Sequence, residues 1–489
     1  MASTPCPDAR LRILRDSPVD EVRDFVLYWM IAERRPTWNF GLQQAAHHAR
    51  QLNRPLVILE PLDCTYRWAC DRFHAFIIEG MKDNAEALSA RDVTYYPYVE
   101  PEPEAGRGLL AALADRACVV VADDRPAYRY PLLLQRAAAR LGVRFEVVDS
   151  VGVLPVRSGP KEYKRAVDFR RHVHKTFAME APERPLPDPL APGLPADSPD
   201  LSEIQERWPP ADLDALLAEG GLADLPIDHD IGRVEALPGG ASAAADRLEA
   251  FLANKLENYP ERNHPDAEAA SGLSPWLHFG HAGGAQVAWA LLDRVGWEPE
   301  QMNADRFSKQ GGAWGLSEGA EAFLEEIITW RELCQLTAVL HPDDHARYDG
   351  LPEWARKTLA EHASDPREAI YELETMAEAH TQDALWNAAQ RQLRDSGVMH
   401  NYLRMLWGKR VLAWTETPQD CWDTLVELNN RYALDGRDAN SYGGIAWVLG
   451  RYDRAWGPER PIYGKIRYMT SQSTRRKLRL NDWLDRWSP

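Results

Sequence analysis

Several common functional signatures are missing from this 489-residue chain. Its six cysteines (Cys6, Cys64, Cys70, Cys118, Cys334, Cys421) are scattered, with no Cys-x-x-Cys pair. That spacing argues against a zinc site and a disulfide framework, and for a reducing cytoplasm. No run approaches the roughly 18 apolar residues that a membrane span needs. Residues Met1 to Val19 lack the apolar stretch of a secretory signal. No Gly-x-Gly-x-x-Gly follows the first strand-like run and no Walker sequence occurs, so an ordinary dinucleotide-binding dehydrogenase loses its main support. A basic excess is missing too. The formal charge is −17, which disfavours a generic nucleic-acid coating protein but leaves room for a local basic groove.

What is present is an ordinary soluble composition, 45% hydrophobic and 27% charged. At roughly 150 residues per domain the length predicts two or three domains. Tryptophan stands out: 18 residues, fourteen of them at or after Trp276. A well-packed helical core would explain this bias, and so would stacking or electron transfer.

From Phe25 to about Val153, short β-branched or aromatic runs alternate with helix-like stretches. The runs are 25–30, 55–59, 93–96, 118–121 and 144–148; the stretches lie near 39–53, 68–90, 106–115 and 131–141. This predicts a doubly wound parallel sheet with helices on both faces, over 20–154. Residues 155–239 hold the proline-dense APERPLPDPLAPGLPADSP and read as a linker that either wraps a surface or moves freely. From 240 to 470 helical periodicity dominates, and 471–489 reads as a basic tail. The expected architecture is an α/β domain, a proline-rich connector and an all-helical domain.

Five clusters in the helical half carry candidate chemistry. Trp407 and Trp414 are seven apart and share a helix face, with Trp386 on the preceding helix; three indoles could relay an electron, or form a core stripe. Glu326 and Trp330 are four apart, a pairing that could grip a nucleobase or be a surface carboxylate beside a half-buried ring. Asp435-Gly436 signals a turn, and Gly443-Gly444 lets backbone approach closely, or marks a plain loop. Ser271 and Ser274 precede Pro275, suiting phosphate binding or simple N-capping. Between Arg451 and Arg479 nine basic residues face two acidic ones, with Trp456, Tyr463 and Tyr468 interleaved. Basic plus aromatic residues on an acidic protein suit a confined nucleic-acid contact; a solvated tail is the alternative, chiefly for 471–489.

Together the stretches LSPWLHFG, LPEWARKTL, WNAAQ, MHNYLRMLWGKRVLAW, YALDGRDANSYGGIAW and RYDRAWGPERPIYGKIRYM resemble the class II cyclobutane-pyrimidine-dimer photolyases of the photolyase/cryptochrome superfamily. The resemblance runs from VLYWM near residue 26 to Met469. It implies light-driven repair of UV-damaged DNA by electron transfer from excited reduced FAD; a monomer is expected. It implies that the helical domain binds FAD through Tyr259, Ser271, Gly272, Leu273, Ser274, Asn401, Arg404, Asp435 and Arg437, with Arg404 pairing Asp435 and Asn429 near flavin N5. It further implies a relay ordered Trp407, Trp386, Trp414 outward from the flavin. Ile445 stands where other classes carry a relay tryptophan. Glu326, Trp330, Met405 and Trp447 would hold the flipped-out dimer, with Glu326 on its carbonyl edge. Arg451, Arg454, Trp456 and Arg467 would contact the DNA. The α/β domain of such proteins can bind an antenna, often an 8-hydroxydeazaflavin, for which Trp38–Phe40 and Tyr66–Trp68 are guesses. A cryptochrome-like photoreceptor without repair activity is the alternative. Repair of the (6-4) lesion is weaker, since it would want a histidine at the dimer, and His400 reads as structural.

Overall fold

The computed structural model describes residues 4–159 and 161–489. The chain forms two compact units, each assembled from separate stretches of sequence. Residues 4–159, 182–249 and 273–295 make the first; residues 161–181, 250–272 and 296–489 make the second.

The first unit is built on a six-stranded sheet in the order β1-β6-β5-β2-β3-β4. Its strands are β1 (Leu11–Arg15), β2 (Phe25–Trp29), β3 (Leu56–Leu62), β4 (Val93–Val99), β5 (Ala117–Asp123) and β6 (Phe145–Val148). β2 to β6 are the five apolar runs of the sequence, and their mutual pairings are parallel. β1 is an added edge strand, antiparallel to β6 with Leu11 opposite Val148. Its sequence, LRILR, is half-buried and interrupted by arginines, so it carries little apolar signal. The strand's alternation serves two faces at once. Phe25, Leu27 and Trp29 join Leu113, Leu134 and Trp208 in one core layer, while Val26, Tyr28 and Met30 join Leu42, Ala45 and Ala46 in the other.

The winding reverses between β2 and β5, where α/β sheets usually take ligands. Here Asp123 accepts from the N–H groups of Ile31, Ala32 and Glu33 at 2.8–2.9 Å and from the Tyr28 hydroxyl at 2.5 Å. Glu33 pairs with Arg35 at 2.5 Å and with Arg125 at 2.9 Å, all three buried. Burial and the Glu33 charge push the Asp123 carboxyl above its ordinary range. Trp38 and Trp68 adopt left-handed φ of 50° and 72°, Phe40 is buried, and Tyr66 stacks on His74 at 5.7 Å.

The proline-rich run is fastened along the Phe40–Leu52 helix. Gln43 accepts from the Leu186 N–H at 2.9 Å, and Arg50 donates to the carbonyls of Pro189 at 2.8 Å and Gly193 at 2.9 Å. Within 155–239, the short helices Ser202–Arg207 and Leu213–Leu217 belong to the first unit and Ala166–Met179 to the second.

The second unit is helical. Ser317 caps a continuous run from Glu318 to Leu340 that widens into a π-turn over Glu325–Trp330. Such turns insert a residue into the ladder and recur at functional sites. Asp383, Thr417 and Asp438 cap the helices Ala384–Ser396, Pro418–Tyr432 and Ala439–Val448. Between them, the Asn401–Trp414 helix buries Leu403, Leu406, Trp407, Val411, Leu412 and Trp414, which lie all round its circumference. Part of the tryptophan excess is packing: Trp297 and Trp314 close on Phe177 at 5.9 and 4.7 Å. Residues 471–489, read as a solvated tail, instead form the helices Ser471–Lys477 and Asn481–Trp487, because Leu478, Leu480 and Trp483 find apolar cover. Among the described residues no helix is long and apolar enough to cross a membrane.

Candidate active site

A cavity of about 780 Å³ opens in the second unit. Trp330 ends the π-turn, Met405 sits in the first half of the Asn401–Trp414 helix, and Trp447 ends the Ala439–Val448 helix; all three line it. Arg165, Arg454 and Arg467 add positive charge to the same walls. Trp330 is fixed by an edge contact with Tyr452 at 6.4 Å. Two large aromatic faces and a thioether beside fixed cations suit a planar, partly apolar, anionic ligand.

Glu326 does not line this cavity. It lies about one turn back from Trp330 and accepts from Arg262 at 2.9 Å, whose guanidinium also covers Tyr259 at 4.7 Å. Burial raises the Glu326 pKa and Arg262 opposes that rise. The structure therefore joins three of the four expected substrate residues at one wall and sets the fourth beside Tyr259. Tyr259 is buried against Phe251 at 5.5 Å and Phe323 at 5.3 Å.

A second polar group surrounds the turn after the Pro418–Tyr432 helix. Arg404 donates to Asp435 at 3.0 Å. Asn429 is buried, and its Nδ2 donates to Ser441 Oγ at 2.6 Å and to Asn430 Oδ1 at 3.1 Å. Those contacts occupy its donors and leave Oδ1 as an acceptor. Arg437 takes a left-handed φ of 65° and folds back to donate to the Asn430 carbonyl at 2.5 Å. Two buried polar atoms in this neighbourhood, Arg404 Nε and Asn440 Oδ1, have no partner among the described residues. Buried polar groups are rarely left so, and a polar cofactor seated here would satisfy them. Asn401 is exposed at the first turn of its helix, Ser271 and Gly272 are half-buried, and Gly272 has a φ of 69°. Leu273, buried, and Ser274, exposed, belong to the first unit at the start of the Ser274–Phe279 helix.

The three relay candidates are in direct contact. Trp386 stacks on Trp407 with centroids 6.2 Å apart, and meets Trp414 edge-on at 5.4 Å. All three are at most 3% exposed. Trp386 Nε1 donates to the Trp407 carbonyl and Trp407 Nε1 to Gln390 Oε1, each at 3.0 Å, which fixes both ring planes.

In the basic loop, Arg467 donates to Asp453 at 2.9 Å and lies over Trp456 at 4.1 Å and Trp447 at 5.5 Å. Arg454 covers Trp456 at 4.3 Å. Arg451 differs. Only 6% exposed, it donates to the carbonyls of His345 at 2.9 Å and Gly350 at 2.6 Å and so ties the loop to the 345–350 turn. Gly443 packs against Cys334, whereas nothing lies within 4 Å of a side chain at Gly444.

Over 483 residues the chain is 33% identical to the deoxyribodipyrimidine photo-lyase of Methanothermobacter thermautotrophicus, covering 98% of this chain and 97% of that one. The chain belongs to the deoxyribodipyrimidine photo-lyase family. The family's protein from Oryza sativa subsp. japonica is 31% identical over 486 residues, covering 94% and 86%. Among solved structures, a class III photolyase from Agrobacterium tumefaciens shares the fold with a TM-score of 0.63 at 17% identity, covering 95% of this chain and 86% of that one. A Synechocystis cryptochrome does so with a TM-score of 0.66 at 16% identity, covering 95% and 89%. No family model matches the chain.

Several residues that line this cavity carry no signal in the sequence. Arg165 and Arg170 lie far upstream, on the edge of the stretch read as linker, yet both line the cavity. Arg170 is held by Glu325 through a buried ion pair at 2.5 Å. Tyr402 and Lys477, bonded at 3.1 Å, bring the Ser471–Lys477 helix to the cavity wall. Only the basic character of 475–479 hinted at this, and it fits a free tail equally well.

Proposed function

We propose that this enzyme repairs cyclobutane pyrimidine dimers in DNA, using blue or near-UV light, with the dimer extruded from the duplex into the cavity. The observation that carries this reading is the convergence of Trp330, Met405 and Trp447 on one cavity with arginines on its walls. The flanking indoles would stack on the extruded pair, and Arg454 and Arg467 would meet the backbone phosphates beside it. The damaged step is poorly stacked to begin with, which lowers the cost of extrusion.

FAD is the cofactor this site fits, through the unpartnered Arg404 Nε and Asn440 Oδ1, the Oδ1 acceptor of Asn429, and the Arg404–Asp435 pair. Tyr259, Ser271, Gly272, Asn401 and Arg437 complete the proposed binding set. When bound, reduced FAD supplies the excited-state electron that splits the cyclobutane ring and is recovered afterwards, with no net redox change. The chain's own part is to orient the dimer and exclude water. Glu326 is held by Arg262 outside the cavity lining, so its carboxyl would donate to a pyrimidine carbonyl, where negative charge develops, only once the seated dimer displaces that pairing and the carboxyl is protonated. Trp414, Trp386 and Trp407, in that order, would carry electrons inward to regenerate the reduced state. An antenna such as 8-hydroxydeazaflavin would add light collection. The class II assignment belongs to this same reading.

The test is repair of a single-dimer oligonucleotide by purified, flavin-loaded protein. Dimer loss under illumination and none in the dark is the expected result. Dimer binding without light-dependent loss would favour the photoreceptor alternative and overturn the repair reading.

A further inference from the structure

Lys409 is fully buried in the Asn401–Trp414 helix, an unusual place for an ammonium. Its Nζ lies 5.1 Å from the centre of the Trp447 ring and donates to the carbonyl of Val448, the next residue. Trp447 lines the cavity and Lys409 does not, so the cation supports the indole from the protein side. The backbone here is close: a side chain at Gly408 would come within 2.6 Å of Val448. The Tyr463 hydroxyl donates to the Lys409 carbonyl at 2.7 Å, which ties the backbone that carries the lysine.

We propose that Lys409 is a positioning residue for Trp447, and that its ammonium makes the seating of that indole, and hence affinity for the extruded dimer, depend on pH. This rests on the cavity being the dimer pocket. A cation beyond the ring face attracts the indole through its quadrupole, and its hydrogen bond pins the end of the helix that carries Trp447. Losing the proton removes the first attraction and weakens the second.

Burial lowers the Lys409 pKa to about 7, with Asp453 opposing and Arg467 adding to the fall. The other groups facing it keep their charge across neutrality. Asp453, after the Ala439–Val448 helix, is shifted down chiefly by Arg467 against the pull of its burial. Cys421, on the Pro418–Tyr432 helix, and Tyr463 are shifted up by burial. Arg467 is a guanidinium and stays charged. His362, bonded to Asp365 at 2.6 Å and shifted up chiefly by that bond, is a separate titrating group that the His362→Gln variant below distinguishes.

The test uses full-length protein labelled with 5-fluorotryptophan, the Trp447 resonance being assigned by its loss in Trp447→Phe. In the absence of DNA that resonance should titrate with a midpoint near 7, should persist in His362→Gln, and should be flat in Lys409→Met. Dark binding of a dimer-containing oligonucleotide, taken relative to an undamaged one, should weaken about five- to tenfold as pH rises through the same interval. Lys409→Met should hold the weak value throughout. A Trp447 resonance indifferent to pH, the same titration in Lys409→Met, or a flat affinity ratio over a titrating indole would overturn the proposal. Failure to discriminate the dimer at any pH, with the indole still titrating only when Lys409 is present, would sink the pocket's assignment and leave the Lys409–Trp447 coupling standing.

Discussion

Trp386 lies parallel to Trp407, its ring plane 6° away, and edge-on to Trp414 at 79°. It is the one member of the three that touches both others. Trp386→Phe should therefore interrupt photoreduction of bound flavin by an external reductant, while enzyme reduced chemically beforehand repairs at its usual rate. Steady-state absorbance under illumination, with and without chemical pre-reduction, separates the two effects. Photoreduction at the parental rate would remove Trp386 from the relay.

Glu325 and Arg170 form a buried ion pair at 2.5 Å, and Arg170 also donates to the Ser308 carbonyl at 3.0 Å. Removing one partner of such a pair leaves an uncompensated buried charge, at a cost of about 3–5 kcal/mol. Glu325→Ala should lower the thermal midpoint markedly, measured by circular dichroism. Replacing both residues by Met and Leu should restore much of the loss.

The Glu326 carboxyl is raised by burial and lowered by Arg262. A raised folded pKa means that the protonated form is favoured in the folded state. Its contribution is complete below the unfolded pKa and is lost as pH rises through the folded one. Repair yield should fall over that rise, because the charged form cannot donate. Arg262→Ala should move the fall to higher pH, and Glu326→Gln should flatten it. A fall that moves to lower pH in Arg262→Ala would show that another group titrates.

Arg454 is exposed and, among the described residues, its side chain makes only a ring contact, so Arg454→Ala should weaken binding to damaged and undamaged DNA alike and reduce the salt slope by about one. Arg467 also holds Asp453 and covers Trp447, and its loss should additionally erode discrimination between the two DNAs. Binding titrations at two salt concentrations measure both effects.

The paired glycines should behave unequally. Gly443→Ala drives a methyl group into Cys334 and should lower stability by about 1–3 kcal/mol. Gly444→Ala meets open space in a helix interior and should raise the thermal midpoint, with a gain of about 0.5–1 kcal/mol.

What could be read from the sequence is what local pattern encodes. β2 to β6 announce themselves as short apolar runs, and Trp386, Trp407 and Trp414 fall on neighbouring helical stretches whose spacing favours contact. β1 carries no such run, because it is an edge strand only half-buried, with arginines between the leucines that touch the core layers. The Arg170–Glu325 pair joins residues 155 apart, and no periodicity reports such a partner. Arg451 and Arg454 look alike in a basic segment, and only the carbonyls of His345 and Gly350 distinguish a buried tie from a surface charge. Lys409 reads as one more helix-forming cation, since its burial is created by helices that sequence places far from it.

The Asn401–Trp414 helix has no idle side. Arg404 meets Asp435, Met405 meets the cavity, Trp407 meets Trp386 and Lys409 meets Trp447. Each residue along a helix is rotated by about 100° from the last, so one inserted residue after Leu403 would swing all four away from their partners together. Drift by insertion or deletion is closed to this segment, and change here must come one side chain at a time.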